Sequence, residues 1–433
     1  MPKNTLTASV AMLALAACGV ASEPGNLPAN TNAVAVPPPP PPASAQEPAP
    51  DSTTSSDHED HRPNIINVPA PFSKISPSWV RTIENTSVEG QTIEDARHLS
   101  GAFRIRCGVS YYVRTDPLLN RNDTHPMSHM HTYFGGDVPT DDSTDLEDLT
   151  AEGTGSTCAG GTINRSLYWI PTMLRDEGDG THTVVEPSHF LAYYKTSLNV
   201  FGQTNSVIFN QNNGVSDKAL IARALPKSLP DGWFKLKMIS YSYQDNASVE
   251  KGNSTQWECQ NRAGGTSKTV NYMPLDCAPN TNLRALMWFP QCLNTKKQPL
   301  SSEASTNPAS YSADGQLEWL QFAKDRVNDD GCPSDTAEDT WVRIPTLSYA
   351  IYYKVDDTGN ANWVLSSDHM MGDGRPGNSM HGDFMNGWDP NAAATWYQDC
   401  LLNNKSCTNF YDDVGNGRWV RLVGQPEVLF TRQ

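Results

Sequence analysis

The distribution of apolar residues divides the chain into three stretches. A greasy run from about Leu6 to Ala17 follows a basic start, residues 19 to about 65 carry hardly any large apolar side chain, and the rest returns repeatedly to short apolar runs. Those at 183–194, 207–210, 233–242, 283–289, 341–353, 361–366 and 418–423 are rich in β-branched and aromatic residues and bounded by Gly, Asn, Asp and Pro, which predicts strands. Only 315–326 and 391–403 space their apolar residues as a helix would. The expected fold is therefore mainly β: an antiparallel β-sandwich or jelly-roll-like single domain with long loops and few short helices. Trp169 to Met173 with Tyr193-Tyr194-Lys195 echoes Trp341 to Leu347 with Tyr352-Tyr353-Lys354, which duplication or the common vocabulary of strands would equally explain.

The first run is too short for a stable membrane span and has the order of an export signal. Leu15-Ala16-Ala17-Cys18 resembles the lipobox of bacterial lipoproteins, which implies acylation of Cys18 and cleavage before it. The expected organisation is a signal peptide at 1–17, a Pro/Ala/Ser-rich flexible linker at 18–65, and a disulfide-stapled β-rich domain at 66–433. The expected location is the cell envelope, lipid-anchored to a bilayer through Cys18. Gly19 does not resemble the aspartate that retains some lipoproteins at the inner membrane, so the outer membrane is the expected one, with the domain facing the periplasm or the surface.

A formal charge of −16 disfavours nucleic acid and anionic headgroups as partners, because a long-range negative field repels both. Besides Cys18 there are eight cysteines, Cys107, Cys158, Cys259, Cys277, Cys292, Cys332, Cys400 and Cys407. An even number outside the cytoplasm reads as bridges between sequence neighbours, and the absence of any CxxC spacing argues against cysteine-bound zinc. No GxSxG elbow is present, which sets aside a serine hydrolase of that design.

The candidate chemistry lies in two remote segments. In an extended chain His129 and His131 share a face about 6.6 Å apart, and His381 and Asp383 have the same spacing, with Asp368, His369 and Asp373 just upstream. Brought together, they offer imidazoles and a carboxylate to one divalent or copper ion, or to proton transfer. The same histidines would equally serve as hydrogen-bond donors to loop backbone. Six of the chain's twelve methionines, Met127, Met130, Met370, Met371, Met380 and Met385, fall in these segments, which suits either cuprous copper or core packing.

The ordered motifs FRIRC (103–107), RTDP (114–117), SHMHTYFGG (128–136), NRSLYWIP (164–171), LRALMWFPQC (283–292) and MHGDFMNGWD (380–389) resemble the secreted-protein family of fungi and bacteria called domain of unknown function nineteen ninety-six. The resemblance covers residues 100–410. It places the family's S-x-H-x-H motif on Ser128, His129 and His131, and its HGDF-x-x-GWD motif on His381, Asp383, Trp388 and Asp389. Fungal members continue after FPxC into a DHKSH-like stretch, whereas 293–304 here contain no histidine.

Three functions fit these observations. An extracytoplasmic hydrolase or lyase acting on a glycan or cell-wall-like polymer would use His129, His131, His381 and Asp383 as metal ligands or proton carriers. Tyr168, Trp169, Trp288 and Trp388 would then be stacking surfaces, the alternative for each being a place in the core, and Arg104, Arg106, Arg114 and Lys195 would be contacts for acidic sugars, although the net charge favours a neutral substrate. A copper- or other metal-binding protein without turnover would use the methionines. A surface glycan-binding module or adhesin would keep the histidines for structure alone.

Overall fold

Runs of alternating burial become strands wherever one face can be covered. The computed structural model describes residues 62–74, 101–119, 129–137, 149–150, 153–196, 225–241, 254–260, 270, 272–297, 319–321, 332–370, 375–403, 406–408 and 418–419. The chain divides into a unit Met1–His58 and a unit Glu59–Gln433, and all described residues belong to the second. The leader, Cys18, residues 19–61 of the expected linker and the run 207–210 lie outside the described residues, whereas the last residues of that linker enter the fold, Asn64–Ile66 being a strand paired in parallel with Thr181–Val184.

Two large sheets organise the domain. A seven-stranded sheet runs in the order Thr255–Gln260, Asn282–Trp288, Thr346–Lys354, Pro187–Lys195, Ala102–Cys107, Ser406–Thr408, Arg418–Trp419. Its pairs are antiparallel except those made by Ser406–Thr408. A five-stranded, wholly antiparallel sheet runs Val109–Val113, His131–Gly135, Leu167–Pro171, His381–Met385, Lys237–Tyr241. Smaller sheets of four and three strands flank them.

The two large sheets pack face to face as a β-sandwich. Phe134 stacks on Phe190 with centroids 4.2 Å apart, Tyr168 meets Phe190 at 5.5 Å and Tyr349 at 5.7 Å, and the Tyr349 hydroxyl donates to the Asp383 carbonyl at 2.7 Å. Aromatic pairs of this kind add about 0.5–1.5 kcal/mol each beyond the area they bury. The sheets approach closely at Gly382, where a β-carbon would lie 2.3 Å from Met287 Sδ and 3.3 Å from the Tyr349 ring. A side chain there would overpack the interface at a cost of about 1–3 kcal/mol.

Strand alternation fixes what the other face carries. Phe134, Tyr168 and Phe384 pair across the five-stranded sheet and point at the seven-stranded one. Their neighbours Tyr133, Trp169 and Asp383 form the next row and point the other way. The sandwich thus turns one face of its smaller sheet away from the shared core, and that face holds the histidines.

Bridges join Cys107 to Cys158, Cys259 to Cys277 and Cys292 to Cys332, all sequence neighbours. Cys400 is bridged too, and its expected partner Cys407 lies where only the backbone is described. The helix expected at 391–403 forms as Pro390–Trp396, started by the Asp389 carboxylate on the Asn391 and Ala392 amides, and widens to a π turn over Tyr397–Leu402. The helix expected at 315–326 is corrected by the structure at its centre. Leu320–Gln321 is a strand paired with Cys292–Leu293, because that edge and its bridge supply partners which apolar spacing alone does not reveal. The two Tyr-Tyr-Lys strands of the internal echo are antiparallel neighbours, but Trp169 and Trp341 belong to different sheets, so the two halves are not built alike.

Candidate metal centre

His131 opens the strand His131–Gly135, and His381 opens His381–Met385. The strand Leu167–Pro171 separates them, with Pro171 directly across from His131. The imidazoles of His131 and His381 meet across that strand with their Nε2 atoms 3.2 Å apart. His129 runs beside them through the Thr172 amide, which donates to the Met130 carbonyl at 2.9 Å. Its Nε2 lies 3.3 Å from that of His381, and the ligand atoms of all three histidines fall within 4.8 Å of one another.

The opposite ring nitrogens explain how these rings are held. His131 Nδ1 lies 2.8 Å from the Thr115 carbonyl and His381 Nδ1 lies 2.9 Å from the Ser379 carbonyl. A carbonyl only accepts, so each Nδ1 carries the proton and, in the neutral ring, each Nε2 presents a lone pair. Two lone pairs at 3.2 Å repel. One proton supplied by His129 would relieve its own contact with His381 and leave the contact between His131 and His381 unrelieved. A proton on His381 Nε2, the atom common to both contacts, or a cation among the three nitrogens relieves both. Metal–nitrogen bonds of about 2.0–2.1 Å in a tetrahedron place neighbouring nitrogens about 3.3–3.4 Å apart, close to the two distances seen.

The carbonyls are themselves fixed. Thr115 also accepts the Tyr133 hydroxyl at 2.5 Å, and the Asp116 carboxylate holds the following turn through the Leu118 amide at 3.0 Å and the Leu119 amide at 3.2 Å. Tyr133 stacks on Trp169 at 5.4 Å, fixing the row next to the histidines.

Asp383, expected among the ligands, lies beside the three-histidine group and is not one of its members. Its Oδ2 is 4.0 Å from His381 Nε2, the side chain is 1% exposed, and this oxygen has no hydrogen-bond partner among the described residues. Its register partner Trp169 likewise has an indole N–H without such a partner. Burial, and then the Asp116 carboxylate, push the Asp383 carboxyl well above the usual range, and the same surroundings raise the Tyr133 phenol. Two of the imidazoles are sealed, His129 at 6% and His131 at 2% exposed, whereas the His381 side chain is 18% exposed and marks the side open to solvent.

The other residues singled out in the sequence separate into different places. Tyr168 and Trp388 are corrected from stacking surfaces to core. Tyr168 is wedged between the sheets and bonded to the Tyr194 hydroxyl at 2.9 Å, while Trp388 donates to that hydroxyl at 3.0 Å and packs on Phe103 and Trp396. Trp169 borders the histidines but is wholly buried, and Trp288 is 8% exposed, so neither offers a ring face to a sugar. Arg104, Arg106 and Lys195 lie on the seven-stranded sheet, with Arg104 beside Tyr193, and burial brings the Lys195 ammonium down to about 7. Arg114 donates to the Pro63 carbonyl at 2.9 Å and anchors the 62–74 segment. Asp389 caps a helix. Met130 and Met380 precede the strands that open at His131 and His381 and are buried in the hydrophobic core. Met127, Ser128, Met371 and Asp373 lie outside the described residues.

Sequence reasoning misses Thr115, Asp116, Tyr133, Ser366 and Ser379. The Asp116-Pro117 step is the one available signal, since such steps favour turns.

The raised Asp383 carboxyl fixes the sign of a pH effect. A group whose folded value lies above its unfolded one contributes stability below the ordinary carboxylate range, and that stability is lost as pH rises through the folded value. Urea unfolding of chelator-treated protein is therefore expected to show stability falling as pH rises above about 4, and Asp383→Asn is expected to flatten the fall. An identical pH profile in the variant would show that Asp383 is not the group responsible.

Comparison with known proteins yields one finding. A family model described as Domain of unknown function (DUF1996) matches residues 116–388, spanning Asp116, all three histidines and Asp383. No curated protein and no solved structure matches. The chain belongs to the DUF1996 family.

Proposed function

We propose that His129, His131 and His381 bind one divalent transition-metal ion through Nε2, and that the centre serves an extracytoplasmic enzyme acting on a neutral glycan or cell-wall-like polymer. The observation that carries the metal reading is the pair of Nε2 contacts at 3.2 and 3.3 Å between rings whose Nδ1 protons, on His131 and His381, are committed to carbonyls. Three protein ligands with one more exposed edge are the pattern of a catalytic rather than a structural zinc site. The donors are all imidazole, which suits zinc. Copper held by thioethers fits less well, because Met130, Met380 and Met385 are packed in the hydrophobic core.

A bound ion supplies Lewis acidity to a substrate oxygen or a water molecule. The protein's own part is to hold three nitrogens in place and to offer Asp383, 4.0 Å from His381 Nε2, as the group that takes or returns a proton. A chain charge of −16 favours a neutral substrate over a polyuronate. The placement of Arg104, Arg106 and Lys195 on the other large sheet supports the same choice.

Metal analysis after purification and zinc reconstitution tests this reading. One equivalent per chain is expected, with His131→Ala or His381→Ala weakening zinc binding at least about 100-fold. Asp383→Asn is expected to retain zinc while slowing turnover of neutral polysaccharides by about 10²–10⁴-fold. No zinc at micromolar concentrations in the wild-type protein would remove the metal reading, and zinc binding without turnover across such substrates would leave a metal-binding protein.

We further propose that the protein is anchored to the cell envelope through acylated Cys18, a reading supported by Leu15-Ala16-Ala17-Cys18. Cells supplied with labelled palmitate are expected to label the wild-type protein and not Cys18→Ala. Equal labelling of both would remove the anchor.

A further inference from the structure

Both histidine arms are tied to one short turn that belongs to neither. After the strand Trp363–Leu365 the chain passes through Ser366 and Ser367 into the 3-10 turn Asp368–Met370. Ser366 Oγ donates to the Met130 carbonyl at 2.5 Å and accepts from the Thr172 amide at 3.1 Å, while the Ser366 amide donates to the Thr172 carbonyl at 2.9 Å. Met130 is the residue between His129 and His131.

Two residues later the Asp368 carboxylate accepts four hydrogen bonds. Oδ2 takes the Leu365 amide at 2.7 Å and the Gly377 amide at 2.8 Å, and Oδ1 takes the Ser379 hydroxyl at 2.6 Å and its amide at 3.3 Å. The Ser367 hydroxyl adds a contact of 2.6 Å to that of Ser379. Ser379 is the residue whose carbonyl holds the Nδ1 proton of His381.

We infer that Ser366 and Asp368 are positioning residues for the histidine cluster, one fixing the His129/His131 arm and the other the His381 arm, so that a single turn sets the distance between them. The inference rests on the metal reading in one respect only, that the distance matters for an ion. Asp368, noted in the sequence just upstream of His381, takes this part because its lone pairs are spent on backbone and serine donors. Asp368→Asn would place an amide N–H₂ against at least one of these donors, which loosens Ser379 and with it the orientation of the His381 ring. Partners of this kind, one step removed from the ligands, typically alter metal affinity about 10–100-fold.

The test uses the full chain with two readouts. Zinc affinity is measured by chelator competition, and the tautomer of His381 is read in metal-free protein by nitrogen-15 resonances of selectively labelled histidines. Asp356→Asn is the control, since Asp356 holds a turn of the same kind through the Thr358 amide and hydroxyl and pairs with Arg175, and bonds to neither histidine arm. Asp368→Asn and Ser366→Ala are each expected to weaken zinc about 10–100-fold while the control matches wild type, and Asp368→Asn is expected to replace the fixed Nδ1–H form of His381 by an averaged one. Wild-type zinc affinity in both variants with an unchanged His381 resonance overturns the inference. If wild type takes up no zinc yet Asp368→Asn still averages the His381 tautomer, the positioning role stands and the metal reading falls. Should Asp368→Asn fail to fold, Ser366→Ala decides: weakened zinc supports the role and unchanged zinc overturns it.

Discussion

In neutral imidazoles whose Nδ1–H groups donate to carbonyls, Nε2 lone pairs 3.2 Å apart repel and call for positive charge between them. The Nδ1 atoms of His131 and His381 are committed to the Thr115 and Ser379 carbonyls, so the rings cannot turn their protons inward without giving up those bonds. His129 adds a third nitrogen to the same point. The groups around the cluster hold this arrangement in place. The carboxylates responsible act through the backbone: Asp116 fixes the turn after Thr115, and Asp368 fixes Ser379. Carbonyl orientation of this type sets the tautomer of a ligand and raises its basicity.

The sandwich supplies the rigidity. Its aromatic interior, with Phe134, Tyr168, Phe190 and Tyr349 in mutual contact, locks the inner face of the five-stranded sheet, and strand alternation transmits that order to the outer face one residue away. Gly382 lets the His381–Met385 strand press against Met287 and Tyr349, which fixes the height of His381 and Asp383 relative to His131. The motif HGDF is thus divided in labour: its histidine and aspartate face the cluster, and its glycine and phenylalanine face the core.

Much of this is legible in the sequence, for reasons that also explain what is not. The period of two in a strand puts His129 with His131 and His381 with Asp383 on common faces, so the two half-sites can be read locally. Their convergence depends on Leu167–Pro171 lying between the two histidine strands, a pairing of residues more than 200 positions apart that no local pattern encodes. Alternation also leaves open which face of a strand becomes the core. Tyr168 and Trp388 read as exposed rings for that reason, and the cover provided by Phe190, Tyr349 and Trp396 makes them interior. Thr115 and Ser379 act through backbone carbonyls, which carry no residue signature. The sequence-neighbour pairing of bridges holds where the strands bring neighbours together.

X-ray absorption at the zinc edge of the reconstituted protein tests the convergence of the three imidazoles most directly. The expected spectrum has three histidine nitrogens at about 2.0–2.1 Å, with the outer-shell scattering of imidazole rings, and loses that scattering in His381→Ala. A first shell of oxygen alone, or one unchanged by His381→Ala, would mean that the ion binds elsewhere and that the crowded nitrogens share only protons.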